Sequence, residues 1–267
     1  MIKKIIKSVF KFFGLEVKRR PAMGGSMPRR YLTRHADRLL YYETPAGNYY
    51  LPEGHGNDAI VYAMSRGDVF EPEVVEMAKR HIRSGTAVLD VGANLGQMSV
   101  IFSKLAGERG LVYAFEADDF LFEILKKNID ANGCKNAVPV FGAVWSENSR
   151  ELIFPRPDFI KSHTYGSYGI SPDAAFGRKV NSVTIDSLRI ETPISFMKID
   201  VQGSDLHAMR GAVQTIKKHQ MPILFEFEEE FRGEFKTTFQ DYVDFVDSIG
   251  YKFEEVILSI NYLVVPK

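Results

Sequence analysis

Ala87-Val88-Leu89-Asp90-Val91-Gly92-Ala93-Asn94-Leu95-Gly96 is an apolar run that ends on an acid, turns on two glycines and leads into a segment with helical spacing. Ala87–Val91 reads as a strand buried on both faces, and about Gly96–Ala106 as the helix behind it. Gly92 and Gly96 let a ligand come close to the backbone, at a point where helix N–H groups lack intrahelical partners. Asn94 stands where a dinucleotide fingerprint needs its second glycine, and no Lys-Ser or Lys-Thr pair follows to make a phosphate-binding loop. Asp90, closing the strand, repels a pyrophosphate but suits a cationic ligand. These features favour S-adenosylmethionine, a nucleoside cofactor that carries a sulfonium.

The alternation of strand and helix continues outward from this turn. Strand two is Leu111–Glu116 with its helix at about Phe120–Asn132, and strand three is Ala137–Phe141. An irregular stretch, Trp145 to Val180, interrupts the rhythm. Strand four is Ile194–Ile199, followed by a helix at about Leu206–Lys218. Strand five is Pro222–Phe227, followed by a helix at about Thr238–Ile249. Tyr251–Ile257 and Asn261–Val265 are strands joined by a tight connection with no helix between them. Upstream, Glu71 to Arg83 has helical spacing with Pro72 at its start. Two short strands, Leu39–Tyr42 and Asn48–Leu51, flank a Thr44-Pro45-Ala46-Gly47 turn. The pattern predicts an α/β fold of the class I methyltransferase (Rossmann-like) type: a seven-stranded, mostly parallel sheet with a C-terminal antiparallel hairpin strand. An N-terminal helix and a small β-hairpin extend it. The expected organisation is a leader at 1–38, a hairpin extension at 39–70 and the main domain at 71–267.

Candidate cofactor residues follow from this order. Asp90, Gly92, Ala93, Asn94 and Gly96 form the turn. Glu116 ends strand two, twenty residues beyond Gly96, where a carboxylate accepts hydrogen bonds from ribose hydroxyls. Ala117 and Asp118 come directly after it. Gly142, Ala143 and Val144 follow strand three, where an adenine would lie against small side chains and backbone.

Phe196-Met197-Lys198-Ile199-Asp200-Val201-Gln202-Gly203-Ser204-Asp205 repeats the design of a buried strand ending on an acid and a glycine turn. Taken with Leu89–Gly96, Phe115-Glu116, Val183-Thr184-Ile185-Asp186-Ser187-Leu188, Arg210-Gly211-Ala212 and Phe225-Glu226, it resembles the FkbM family of S-adenosylmethionine-dependent methyltransferases over roughly residues 60–230. The family commonly has glutamate where Gln202 and Asp205 stand. The resemblance implies O-methylation of a hydroxyl group, often on a sugar of a bacterial surface glycan or glycolipid, or on a secondary metabolite.

An alcohol must lose its proton during or after attack on the methyl group, so a nearby carboxylate or histidine is needed. Asp200, at the carboxyl end of strand four, is the first candidate and also a cofactor contact. His163, in the glycine-rich irregular stretch, and Glu228, beyond strand five, are the others. Tyr165, Ser167 and Tyr168 in that stretch, with Gln202 and Glu226, are expected to contact the acceptor. Alternation puts Glu226 and Glu228 on one face, so with Asp200 they form a conceivable magnesium site; a solvated acidic rim is the preferred reading. Asp186 reads as a structural cap.

The chain has 267 residues, 34 basic and 34 acidic, a balance that argues against general attraction to nucleic-acid backbones. No Asn- or Asp-Pro-Pro-aromatic motif follows strand four, and Cys134 lies on the wrong edge for a cytosine-C5 nucleophile, so nucleic acid is not an expected partner. One cysteine permits neither an intramolecular disulfide nor a multi-thiolate zinc site, as suits a reducing, cytoplasmic compartment. The zero net charge hides an asymmetry. Residues 1–38 hold eleven basic and two acidic side chains, a local net of +9, against −9 for residues 39–267. Ile2, Ile5, Ile6, Val9, Phe12, Phe13 and Val17 share one helical face while Lys3, Lys4, Lys7, Lys11 and Lys18 lie mostly off it. Residues 1–20 therefore read either as a helix packed on its own domain or as a peripheral contact with an anionic membrane, on the inner face of the cell membrane.

Overall fold

The computed structural model describes residues 38–54, 57–155, 164–172, 174 and 176–267. The leader helix with its membrane contact (residues 1–20) and the candidate base His163 lie outside the described residues. Strands β1 (Leu39–Thr44) and β2 (Gly47–Pro52) form an antiparallel hairpin, followed by helices α1 (Ala59–Ser65) and α2 (Pro72–His81). Next come β3 (Ala87–Val91), α3 (Gln97–Ala106), β4 (Leu111–Glu116), α4 (Asp119–Ala131) and β5 (Ala137–Phe141). Three short strands, β6 (Ala143–Val144), β7 (Glu151–Phe154) and β8 (Arg178–Val183), precede β9 (Ile194–Ile199). The chain ends with α5 (Asp205–Arg210), α6 (Val213–His219), β10 (Ile223–Glu226), α7 (Arg232–Phe235), α8 (Phe239–Ser248), β11 (Tyr251–Ile257) and β12 (Asn261–Pro266).

Seven strands make the main sheet in the order β11-β12-β10-β9-β3-β4-β5. The five from β10 to β5 are mutually parallel, and β12 inserts antiparallel between β10 and β11. This is the seven-stranded, mostly parallel, Rossmann-like sheet with a C-terminal antiparallel hairpin that the alternation predicts. Both faces are covered. Leu89, Val91, Met197, Ile199 and Phe225 pack with Leu206, Met209 and Ile216, while Val88, Val112, Phe196 and Leu224 pack with Val74, Met77 and Phe102. The chain runs outward from β3 through β4 to β5, then returns to β9 on the other side of β3. A crevice opens at the carboxyl ends of β3 and β9, where the strand order reverses.

Two departures from the sequence reading have local causes. The stretch Trp145 to Val180 contains β7 and β8, which with β6 form a second, three-stranded sheet. Leu152 and Phe154 on β7, and Val180 and Ser182 on β8, alternate inward, a period-two signal masked by the surrounding Gly, Ser and Pro. The predicted helix at Leu206–Lys218 is two helices broken at Gly211-Ala212. A Cβ on Gly211 would lie 2.0 Å from the carbonyl oxygen of Trp145, so the chain passes there without a side chain. Asp186 does act as a cap: it accepts from Gln214 N (3.0 Å), Thr215 N (2.7 Å) and Thr215 Oγ1 (2.7 Å) at the start of α6.

The β1–β2 hairpin is fixed to α4 by side-chain amides. Asn48 N donates to Asn132 Oδ1 (2.9 Å) and Tyr50 N to Asn128 Oδ1 (2.6 Å). Cys134 is buried against this side of the fold. Among the described residues no helix is long and apolar enough to cross a membrane.

Candidate active site

The crevice at the switch point is a cleft of about 280 Å³. One wall is the β3 turn from Gly92 to Met98, with Glu116, Ala117, Gly142, Ala143 and Val144 beyond it; the other carries Lys198, Asp200, Gln202, Glu226 and Glu228. The two walls meet backbone to backbone. Gly92 has φ +86°, and a Cβ there would lie 1.9 Å from the carbonyl oxygen of Asp200, while Asp200 N donates to Val91 O (2.9 Å).

Glu116 organises the first wall. Its Oε1 accepts from Ala117 N and Asp118 N (both 2.8 Å), and its Oε2 accepts from Asn94 N (2.8 Å). Burial pushes its carboxyl up to about 7, against the pull of those N–H donors. With one bond on Oε2 among the described residues, that oxygen keeps a lone pair for a ligand hydroxyl. Asn94 sits at φ +51°, and its Nδ2 donates to Tyr165 O (3.3 Å), tying the turn to the loop opposite.

Two expected cofactor contacts are corrected. Asp90 is fully buried and does not line the cleft. It is paired in register with Lys198 on β9 and accepts from Ser99 Oγ (2.5 Å), so its charge acts from beneath the floor. Asp118 also stays out of the cleft: it caps α4 by accepting from Leu121 N (2.9 Å) and pairs with Arg178 (3.3 Å).

Lys198 is the residue that the sequence reading missed at the centre of the second wall. It is 4% exposed, and its Nζ lies 3.0 Å from Asp200 Oδ2. Burial alone would strip its proton, yet the carboxylates of Asp200, Asp90, Glu71 and Glu226 hold it above the ordinary lysine range. Gln202, at φ +51°, donates from Nε2 to Asp200 Oδ1 (3.0 Å). Both oxygens of Asp200 are thus bonded. Gln202 serves here as a clamp on the acid rather than as a group of its own chemistry.

Glu71 is the second omission. It stands before Pro72 at the start of α2 with φ +53°, and this bend turns it toward the site. Ligand atoms of Glu71, Asp200 and Glu226 all lie within 4.8 Å of one another. The acidic trio is therefore Glu71, Asp200 and Glu226, not the Asp200, Glu226 and Glu228 of strand alternation; the strand ends at Glu226, so its alternation does not extend to Glu228, which still lines the cleft. Lys198 already supplies positive charge to this trio.

Burial first, then the charges of Asp200 and Asp205, push Glu226 up to about 10; its Oε1 accepts from Asn261 Nδ2 (2.9 Å). Glu228 is half-buried, pushed up to about 7 by burial and by Glu230, and its Oε2 is buried without a hydrogen-bond partner among the described residues. Asp205 is fully buried, accepts from Glu226 N (3.2 Å) and is also raised by burial, to about 7.

Tyr165, Ser167 and Tyr168 all line the cleft. Tyr165 is 1% exposed, part of the wall, with its N–H donating to Asp58 Oδ2 (2.5 Å). The Oδ1 of Asp58 accepts from Ile60 N (2.8 Å) and Val61 N (2.9 Å), so one buried carboxylate joins the start of α1 to the Tyr165 loop.

The model of the methyltransferase FkbM domain matches residues 90–253. Among curated proteins, the chain is 30% identical over 118 residues to protein-L-isoaspartate O-methyltransferase 1 of Archaeoglobus fulgidus, covering 43% of this chain and 45% of that one. It is 33% identical over 72 residues to a cobalt-precorrin-6B C(15)-methyltransferase (decarboxylating) of Sulfolobus acidocaldarius, covering 27% of this chain and 38% of the other. The chain thus spans less than half the length of these curated relatives. Among solved structures, methyltransferase FkbM of Methylobacillus flagellatus is similar at a TM-score of 0.45 and 14% identity, covering 77% of this chain and 52% of that one.

Proposed function

The chain belongs to the FkbM family of methyltransferases, and from that premise we propose that it methylates a hydroxyl oxygen of a sugar, in a bacterial surface glycan or glycolipid, from S-adenosylmethionine. The observation that carries this reading is the cleft between the glycine turn of β3 and the acid-bearing ends of β9 and β10. The residues fit the cofactor: Gly92 and Gly96 open the backbone, Glu116 offers a lone pair to a ribose hydroxyl, and Gly142–Val144 give small side chains for an adenine. Bound there, S-adenosylmethionine supplies a sulfonium methyl for in-line transfer to oxygen.

The protein's own part is to orient the acceptor, exclude water and take one proton. Asp200 is held on both oxygens by Lys198 and Gln202, which fixes its position and occupies both of its oxygens. Glu228 has a buried oxygen with no described partner and lines the same cleft. We assign Glu228 as the proton acceptor and Asp200 as the group that orients the acceptor. Ser167, Tyr168 and Gln202 add hydrogen-bonding groups and an aromatic face, a lining suited to a polyhydroxylated ring. A cytoplasmic site of action rests on the single cysteine, and a contact of residues 1–20 with an anionic membrane on the charge pattern of the sequence.

Incubation with tritiated methyl donor and a fractionated extract of glycans, lipids and small metabolites tests the activity. Label in a carbohydrate fraction is the expected result. Label confined to protein or nucleic acid, or no calorimetric binding of S-adenosylmethionine, would sink the proposal.

A further inference from the structure

Asp58 does more than a helix cap requires. Its Oδ1 accepts from Ile60 N (2.8 Å) and Val61 N (2.9 Å), so a single oxygen satisfies the open N–H groups at the start of α1. Serine or asparagine would serve that purpose as well. Its Oδ2 reaches across 107 positions of sequence to the N–H of Tyr165, and the Thr164 side chain hydrogen-bonds the same carboxylate. Asp58 is 1% exposed, so water cannot replace these donors.

The backbone of Tyr165 is held from both sides. Its N–H goes to Asp58, and its carbonyl accepts from Asn94 Nδ2 (3.3 Å) in the turn after β3. Asn94 N in turn donates to Glu116 Oε2 (2.8 Å), the oxygen proposed to meet a ribose hydroxyl. Two glycines then bring the loop close to its neighbours. A Cβ on Gly166 would lie 2.9 Å from Ile60 Cδ1, and one on Gly169 would lie 2.9 Å from Gln202 Cβ and 3.2 Å from Val201 O. Residues 164–170 therefore cross from the start of α1, past the cofactor turn, to the turn after β9. Ser167 and Tyr168, proposed to contact the acceptor, line the cleft along this path.

Resting on the methyltransferase reading, we infer that Asp58 is a positioning residue for methyl transfer, which sets the acceptor contacts of residues 164–170 against the cofactor turn. Asp58 itself does not line the cleft. It fixes the N–H of Tyr165 while Asn94 fixes the carbonyl, so the state of the Glu116 turn is passed to the loop. A cofactor bound at Glu116 steadies the loop, and an acceptor bound against Ser167 and Tyr168 strengthens cofactor binding by the same factor. The start of α1 thereby belongs to the acceptor site, although no acceptor contact comes from Asp58.

The test is hydrogen exchange read by mass spectrometry on the full chain, with and without saturating S-adenosylhomocysteine. In the wild type, S-adenosylhomocysteine should slow exchange over residues 164–170. Asp58→Asn and Asp58→Ser each keep an oxygen for the start of α1 and lose the one that serves Tyr165. In both, residues 164–170 should exchange about tenfold faster, as for the loss of one hydrogen bond to a charged group, while residues 59–65 keep the wild-type rate. Asn94→Gly keeps the backbone donor to Glu116 and removes Nδ2, so the slowing by S-adenosylhomocysteine should disappear. Unchanged exchange of residues 164–170 in both Asp58 variants would overturn the inference. So would acceleration spread evenly over the chain, since the carboxylate would then serve stability alone. Calorimetry with S-adenosylhomocysteine on the wild type keeps the two readings apart. Binding without slowing of residues 164–170 removes only the inference; failure to bind removes the methyltransferase reading and the inference with it.

Discussion

The carbonyl oxygen of Asp200 occupies the space that a side chain on Gly92 would need, 1.9 Å from the position of a Cβ. The turns after β3 and β9 therefore close on each other only because residue 92 is glycine. Gly92→Ala meets rigid backbone, and it also places a side chain at φ +86°. We expect a loss of about 2–4 kcal/mol in stability from overpacking and left-handed strain together. Urea unfolding followed by circular dichroism measures it, and a change under 1 kcal/mol would mean that the turns separate easily.

Lys198 is the cation on which the second wall depends. Lys198→Met removes it and leaves Asp200 half-buried without its ion-pair partner, at a cost of about 3–5 kcal/mol. Adding Asp200→Asn takes away the orphaned charge, so the double variant should lose less than the sum of the singles. A double-mutant cycle on unfolding free energies checks this; strict additivity would show that the pair is not coupled.

The parts of the fold that were legible in the sequence are those written in local patterns. Asp90, the glycines of the turn and the Lys198–Gly203 motif each sit within ten residues of what they explain, and buried parallel strands announce themselves as continuous apolar runs. Glu71 was not legible, because it reaches Asp200 and Glu226 through a left-handed residue and a separation of more than a hundred positions. Lys198 gave a signal that went unread: it is the one charged residue in the buried strand Ile194–Ile199, two places before an acid. Asp118 misled for the opposite reason. Its place after Glu116 looked like part of a ribose site, but it is the first residue able to cap α4.

Acidity should move stability and cofactor affinity in opposite directions. Glu116 is held at about 7 by burial, against 4.5 for an ordinary glutamate, and Asp205 is raised to about 7 in the same way. Between the ordinary and the raised values the folded chain keeps protons that the unfolded chain has lost. The folded state binds more protons, so stability falls as pH rises through the window from about 4.5 to 7. The ligand-free protein should therefore unfold at higher urea at pH 5 than at pH 7.5. Cofactor affinity should strengthen as pH rises past 7, because the ionised Glu116 is the better acceptor for ribose hydroxyls. Calorimetry at pH 6 and pH 8 reads the second trend. A Glu116→Gln variant whose affinity still follows pH would place the titrating group elsewhere.

Once an acceptor is in hand, Glu228 and Asp200 make different kinetic predictions. Glu228 stands near 7 with an open oxygen, the state suited to accepting a proton at neutral pH. Glu228→Gln should lower kcat by about 10²–10⁴-fold, abolish the rise of rate with pH and leave S-adenosylmethionine binding intact. Asp200→Asn keeps the shape but breaks the geometry set by Lys198 and Gln202, so it should raise the acceptor KM while the pH profile keeps its form. Steady-state kinetics from pH 5.5 to pH 9 on the two variants separates the roles. A flat profile in Asp200→Asn with a normal one in Glu228→Gln would return the proton to Asp200.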